Sequence, residues 1–203
     1  TLSMTEENSK TLPLSNSTTK FTLSYIGVLE QLRNPEILWE TLNDLVQENA
    51  DFKNDFQLKF VGRLDDKILQ KIESSPLKNN LTNLGYQTHD IALKHMQDSS
   101  VLLITNFPQE SSKGIIPGKI FEYLATGKTI LSFGPKDADV EKILNETKAG
   151  KHFGYDEKEN LKKFILESYE NWKSGTLNQN AENIEQFSRK NLTQKLVDLM
   201  NKI

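Results

Sequence analysis

The sequence contains no cysteine, which excludes disulfides and thiolate metal sites alike. It has no basic excess. The 25 Lys and Arg residues stand against 28 Asp and Glu, giving a formal net charge of −3 and a pI near 5.7. That balance argues against a nucleic-acid partner, for which a basic face is expected. No apolar run approaches the roughly 18 residues that span a bilayer, and no signal peptide is recognisable. Neither a Gly-x-Ser-x-Gly nucleophile elbow nor a Walker lysine loop is present. His89 and His95 have no partnered carboxylate or cysteine cluster. Asp137-Ala-Asp139 has the form of a cation-binding pair. It follows Gly134-Pro135 and precedes a helix, however, where acidic residues suit the dipole. No metal site is expected.

What is present is ordinary for a globular chain: 203 residues, 36% hydrophobic and 26% charged, enough for one well-formed domain. Residues Thr1 to Lys20 are rich in Ser, Thr and Asn and read as a polar linker or arm, with the folded domain over 21–203. Phe21–Ile26 reads as a first strand stopped by Gly27, and the loop Val28–Arg33 feeds a helix with Asn34 as N-cap and Pro35 as its first residue, running out near Ala50. Phe56–Val61 is a second strand, Asp65–Ser74 a helix, Leu81–Leu84 a short third strand and His89–Asp98 a helix. Val101–Ile104 is a wholly apolar fourth strand, of the kind found in a parallel sheet covered on both faces. Thr129–Phe133 follows as the fifth, Asp139–Glu146 as a helix, and Lys151–Tyr155 as a weak edge strand. Leu161, Phe164, Ile165, Tyr169 and Trp172 mark an amphipathic helix, and Ile184–Ile203 reads as terminal helices broken near Ser188. Alternating strands and helices predict an α/β fold, a Rossmann-like doubly wound parallel sheet of about six strands with helices on both faces. Ligands bind such sheets beyond the carboxyl ends of the strands where strand order reverses, between the first and fourth strands.

The loop after the fourth strand carries the densest chemistry. Gly114-Ile115-Ile116-Pro117-Gly118 leads into a helix, with Pro117 suiting its first position and Gly127 the residue past its end. Backbone N–H groups of Gly114, Ile115 and Ile116 and a positive helix end meet there, a site for a phosphate. At 100° per residue, Ile120, Phe121, Leu124 and Ala125 form the apolar face, leaving Lys119, Glu122 and Tyr123 in the opposite sector. Lys119 adds a cation and Glu122 an acceptor for sugar hydroxyls. After the first strand, Gly27 permits close backbone approach, and Arg33, beside a helix start, can clamp a diphosphate.

The run from Pro117-Gly-Lys-Ile-Phe-Glu122 through Leu131 resembles the nucleotide-sugar-binding signature of family 4 glycosyltransferases of the GT-B fold. The resemblance implies that Glu122 binds the donor ribose, that Arg33 contacts the donor phosphates, and that Tyr86 and Gln87 flank the nucleobase. Many members carry a second glutamate eight residues before the first, contacting the transferred sugar; Gly114 stands there, and Val28 replaces an arginine of the first loop. The implied protein is the donor-binding C-terminal half of a hexosyltransferase-type enzyme that needs no cofactor and no metal. Arg33 and Lys119 would stabilise the leaving diphosphate. Its partners would be a nucleotide sugar and a saccharide or lipid-linked acceptor held by an N-terminal domain outside this chain, so the chain alone is expected to be inactive in transfer. The expected setting is bacterial surface polysaccharide synthesis in the cytoplasm, with room for peripheral association of the full-length enzyme at the inner face of the membrane. A nucleotide-sugar epimerase of similar fold and a non-catalytic domain with a degenerate donor site are the alternatives.

Overall fold

The computed structural model describes residues 19–178, 182–187 and 189–200. All but the last two residues of the polar arm, and the helix break at Ser188, lie outside them. The strands are β1 (Phe21–Ile26), β2 (Phe56–Val61), β3 (Leu81–Asn83), β4 (Val101–Thr105), β5 (Thr129–Phe133) and β6 (Gly150–Phe153). They form one six-stranded sheet in the order β3-β2-β1-β4-β5-β6, and every pairing is parallel. The chain thus winds outward from β1 in one direction, returns, and winds outward from β4 in the other. The α/β Rossmann-like expectation holds.

Side-chain alternation sorts the core into two layers. Phe21, Leu23 and Tyr25 of β1 face a cluster with Leu38, Trp39 and Leu42 of α1 (Glu36–Glu48), Phe52 of α2 (Ala50–Asp55), Ile68 and Ile72 of α3 (Asp66–Glu73), and Leu161, Ile165 and Tyr169 of α7 (Lys158–Lys173). Ile26, Leu102 and Ile104 face the opposite cluster, built with Met96 of α4 (His89–Gln97), Ile120, Tyr123 and Leu124 of α5 (Lys119–Thr126), and Val140, Ile143 and Leu144 of α6 (Asp139–Thr147). Ile184 and Phe187 pack on this second layer ahead of α8 (Arg189–Met200).

Three local expectations are corrected. The first helix stops at Glu48 and a second, separate helix follows. Asn49 caps it by accepting from the Phe52 N–H at 2.9 Å, and the buried Phe52 ring stacks on Phe56 at 4.9 Å. Burying such a ring contributes about 1.5–3 kcal/mol and so favours the break at Asn49. Asn34 is not the N-cap. Pro35 holds that position, and Asn34 Oδ1 instead accepts from Trp39 Nε1 at 2.7 Å, satisfying a buried indole. Pro117 lies before α5 and not inside it, because Gly118 is the cap; the Pro117 carbonyl accepts from the Ile120 N–H at 2.9 Å. Gly127 does end α5, in the left-handed conformation at φ 66°.

Candidate functional site

The carboxyl ends of β1, β2 and β3 are stitched together by glycines. The Gly27 N–H donates to Val61 O at 2.8 Å, and the Gly62 N–H donates to Gly85 O at 2.7 Å. This brings the loop of Tyr86 and Gln87 alongside the Gly27 loop. Tyr86 is almost wholly exposed at 88%, and Gln87 Nε2 donates to Leu84 O at 2.9 Å.

Across the strand reversal, α5 sends Lys119 back to β1. Its Nζ donates to Ile26 O at 3.0 Å and sits 4.2 Å above the Tyr25 ring. A Cβ on Gly27 would stand only 3.2 Å from that Nζ, so the glycine leaves the ammonium its place. Burial, with Arg33 nearby, pushes the Lys119 pKa down to about 8, while Glu122 opposes the shift. The loops after β1 and β4 therefore meet at one point, as the topology predicts.

Arg33 ends a 3-10 turn at Gln31–Arg33 and is folded onto its own loop. Its Nη2 donates to Val28 O at 3.0 Å and pairs with Glu30 at 3.1 Å, and its guanidinium lies 5.5 Å from the Phe107 ring centre. Its Nε is buried without a hydrogen-bond partner. Burial raises the pKa values of Tyr25, Tyr123 and Tyr155, keeping these phenols neutral.

The helical sector expected to face solvent does not do so as a whole. Tyr123 is fully buried, with its hydroxyl 3.5 Å from Ile26 O, and Ala125 is exposed. Because α5 lies between α4 and the Ile184–Phe187 turn, its buried stripe is wider than one apolar face and rotated toward Tyr123. Glu122 remains exposed, with no hydrogen bond or ion pair among the described residues.

The loop before α5 is partly spent on itself. The Ile115 N–H donates to Ser112 O at 2.9 Å, so it is not available as expected. The N–H groups of Gly114, Ile116, Gly118 and Lys119 make no hydrogen bond among the described residues. Gly114 has open space where a Cβ would stand, with Asp139 Oδ2 4.0 Å from it. No local sequence pattern marks Tyr25, whose ring lies under the Lys119 ammonium, or Asn106, whose Nδ2 donates to Ile115 O at 2.8 Å, because both contacts join segments distant in the chain or across a loop. Among the described residues no group of three or more His, Asp or Glu is placed to hold a metal ion.

Fold and site define a Rossmann-like α/β domain with two cations, Arg33 and Lys119, at its strand-order reversal. The same architecture occurs in HepE from Anabaena, solved with UDP, at a TM-score of 0.70 and 17% identity over 91% of this chain and 50% of that one. It occurs in TarM from S. aureus, solved with Fondaparinux, alpha-GlcNAc-glycerol and UDP, at 0.65 and 18% over 92% and 36%. WaaG, a glycosyltransferase involved in lipopolysaccharide biosynthesis, matches at 0.60 and 13% over 84% and 45%. The likeness is one of fold, and the chain spans half or less of these proteins. No family model and no curated protein matches the chain.

Proposed function

We propose that this chain is the donor-binding part of a GT-B glycosyltransferase of family 4, taking a nucleoside-diphosphate sugar across the carboxyl ends of β1 and β4. The observation that carries the reading is the bridge from Lys119 to Ile26, which gathers a half-buried cation, free amides and an uncommitted carboxylate where strand order reverses. A diphosphate there meets Lys119, the α5 start and, once turned from Glu30, the Arg33 fork. Fixed donors of this kind stabilise charge that develops on the leaving diphosphate, with no metal required. Glu122, one turn along α5, accepts from ribose hydroxyls, and Tyr86 offers an exposed ring to the base. That HepE and TarM were solved with UDP supports the nucleotide class and makes uracil the first base to try. The hexosyl donor, the surface-polysaccharide acceptor and a site of action at the inner face of the membrane belong to the same proposal.

Calorimetry with UDP and other nucleoside diphosphates tests it. Binding at micromolar to low millimolar ligand is expected, and no heat from any of them would remove the reading. Glu122→Ala should leave the fold intact, since the side chain is exposed, and weaken binding by about 1.5–3 kcal/mol through lost hydrogen bonds to a charged acceptor. An unchanged dissociation constant takes Glu122 out of the site.

A further inference from the structure

Asn106 is the first residue after β4 and is 3% exposed. Its N–H donates to Phe133 O at 2.8 Å, and its carbonyl accepts from the Tyr155 hydroxyl at 2.5 Å. With its backbone fixed on both sides, the side chain reaches the loop before α5, and Nδ2 donates to Ile115 O at 2.8 Å. Two residues earlier, Lys113 O accepts from the Asp139 N–H at 2.9 Å, at the start of α6. The loop 113–116 is therefore held at two alternate carbonyls by two different parts of the scaffold.

Peptide geometry gives this a consequence. In a trans peptide the C=O of one residue and the N–H of the next point in opposite directions, and no cis bond occurs among the described residues. Drawing Lys113 O toward Asp139 turns the Gly114 N–H away from the scaffold. Drawing Ile115 O toward Asn106 does the same to the Ile116 N–H. These are the two N–H groups of the loop left without a protein partner, while the intervening Ile115 N–H is consumed by Ser112 O. Scaffold bonds to alternate carbonyls have set alternate amides outward, ahead of the free N–H groups of Gly118 and Lys119.

We infer that Asn106 is a positioning residue that aims the Ile116 amide, beside the Gly114 amide set by Asp139, at the anionic part of the nucleotide, acting through the Ile115 carbonyl and not by contact with the ligand. The inference rests on the proposed donor site. Without the Asn106 bond, the Ile115–Ile116 peptide keeps no hydrogen bond of its own to the scaffold, and one preorganised donor is lost. The nucleoside part, contacted by Glu122 and Tyr86, lies outside this mechanism. The loss is therefore selective for phosphate.

The test uses the whole chain, with uridine and UDP titrated by NMR and calorimetry. In the wild type, the Gly114 and Ile116 amide protons should shift downfield with UDP and not with uridine. Asn106→Asp places an acceptor against the Ile115 carbonyl. It should keep uridine affinity within about twofold, lose at least about tenfold of the UDP-over-uridine preference, and lose the Ile116 amide shift while the Gly114 shift, set by Asp139, persists. Asn106→Ala, which adds no buried charge, should do the same if the aspartate variant is poorly folded. Full UDP preference in either folded variant, or equal loss of uridine and UDP, overturns the positioning role. Wild-type UDP binding without the Ile116 shift overturns it while leaving the donor site standing. Failure of the wild type to bind any nucleoside diphosphate overturns both.

Discussion

Replacing Lys119 with methionine should make the free protein more stable and at the same time strip it of diphosphate affinity. Burial holds the ammonium at a pKa of about 8 against 10.5 in water. At neutral pH the folded chain therefore carries a charge that its surroundings disfavour by about 3 kcal/mol, since each tenfold loss of proton affinity corresponds to about 1.4 kcal/mol. Methionine fills the same channel over Tyr25 without that charge. It forgoes the bond to Ile26 O, so a net gain of about 1–3 kcal/mol is expected, read as a higher melting temperature at pH 7. The direction of the pH dependence follows from the lowered value. Below pH 8 the folded and unfolded chains are both protonated and the penalty is complete. Between pH 8 and about 10.5 the unfolded chain keeps a proton that the folded chain has released, so the wild type gains stability and the gap to the variant closes. Binding runs the other way, because a diphosphate favours the ammonium. Wild-type affinity should be full below pH 8 and fall by up to about tenfold per pH unit above it, while the methionine variant binds weakly with a flat profile. A variant no more stable than the wild type at pH 7, or wild-type affinity unchanged from pH 7 to about 9.5, would count against an ammonium disfavoured by its surroundings at the end of β1.

Gly62→Ala should cost more stability than any surface change in the chain. A Cβ there would stand 2.1 Å from Gly27 O and 2.8 Å from Gly27 C, in a backbone with φ of +123°. The obstacle is backbone just past the end of β1, held by the Gly27-to-Val61 and Gly62-to-Gly85 bonds, so it cannot step aside as a side chain would. The strained φ costs about 1–3 kcal/mol and the overlap about as much again. Together they should lower the melting temperature by roughly 10 °C in a chain of this size. Gly118→Ala is the control, since that position is right-handed and has no heavy atom near its Cβ position. Its melting temperature should move by no more than a degree or two, and similar falls in both variants would contradict the close approach of β1 and β2.

The sheet was legible because its signals are local. Val101-Leu-Leu-Ile104 has no polar side to offer solvent, and β2 and β5 match the sequence reading residue for residue. The places where the reading slipped share a cause: a partner distant in the chain. Tyr123 falls opposite the apolar stripe by angle alone, yet α4 and the Ile184–Phe187 turn flank α5 and bury it. Asn34 has the chemistry of a cap, but a buried Trp39 indole claims its oxygen. Arg33 and Lys119 are legible as cations on the loop after β1 and at the start of α5. Their present partners, Glu30 with Val28 O for one and Ile26 O with the Tyr25 ring for the other, follow from how close those loops come. Spacing along the chain carries no information on that distance.

The two tryptophans give this molecule an optical asymmetry. Trp39 is sealed in α1, edge-on to Phe60 at 5.8 Å, and its indole N–H is tied to Asn34, the neighbour of Arg33. Trp172 lies near the amino ends of β1 and β2, 6.0 Å from Tyr169 and from Phe21. One chromophore thus reports on the Arg33 loop and the other on the far end of the same sheet. In a Trp172→Phe chain the remaining emission comes from Trp39 alone, and a tightening or release of the Arg33 turn becomes a change in the colour and yield of a single indole.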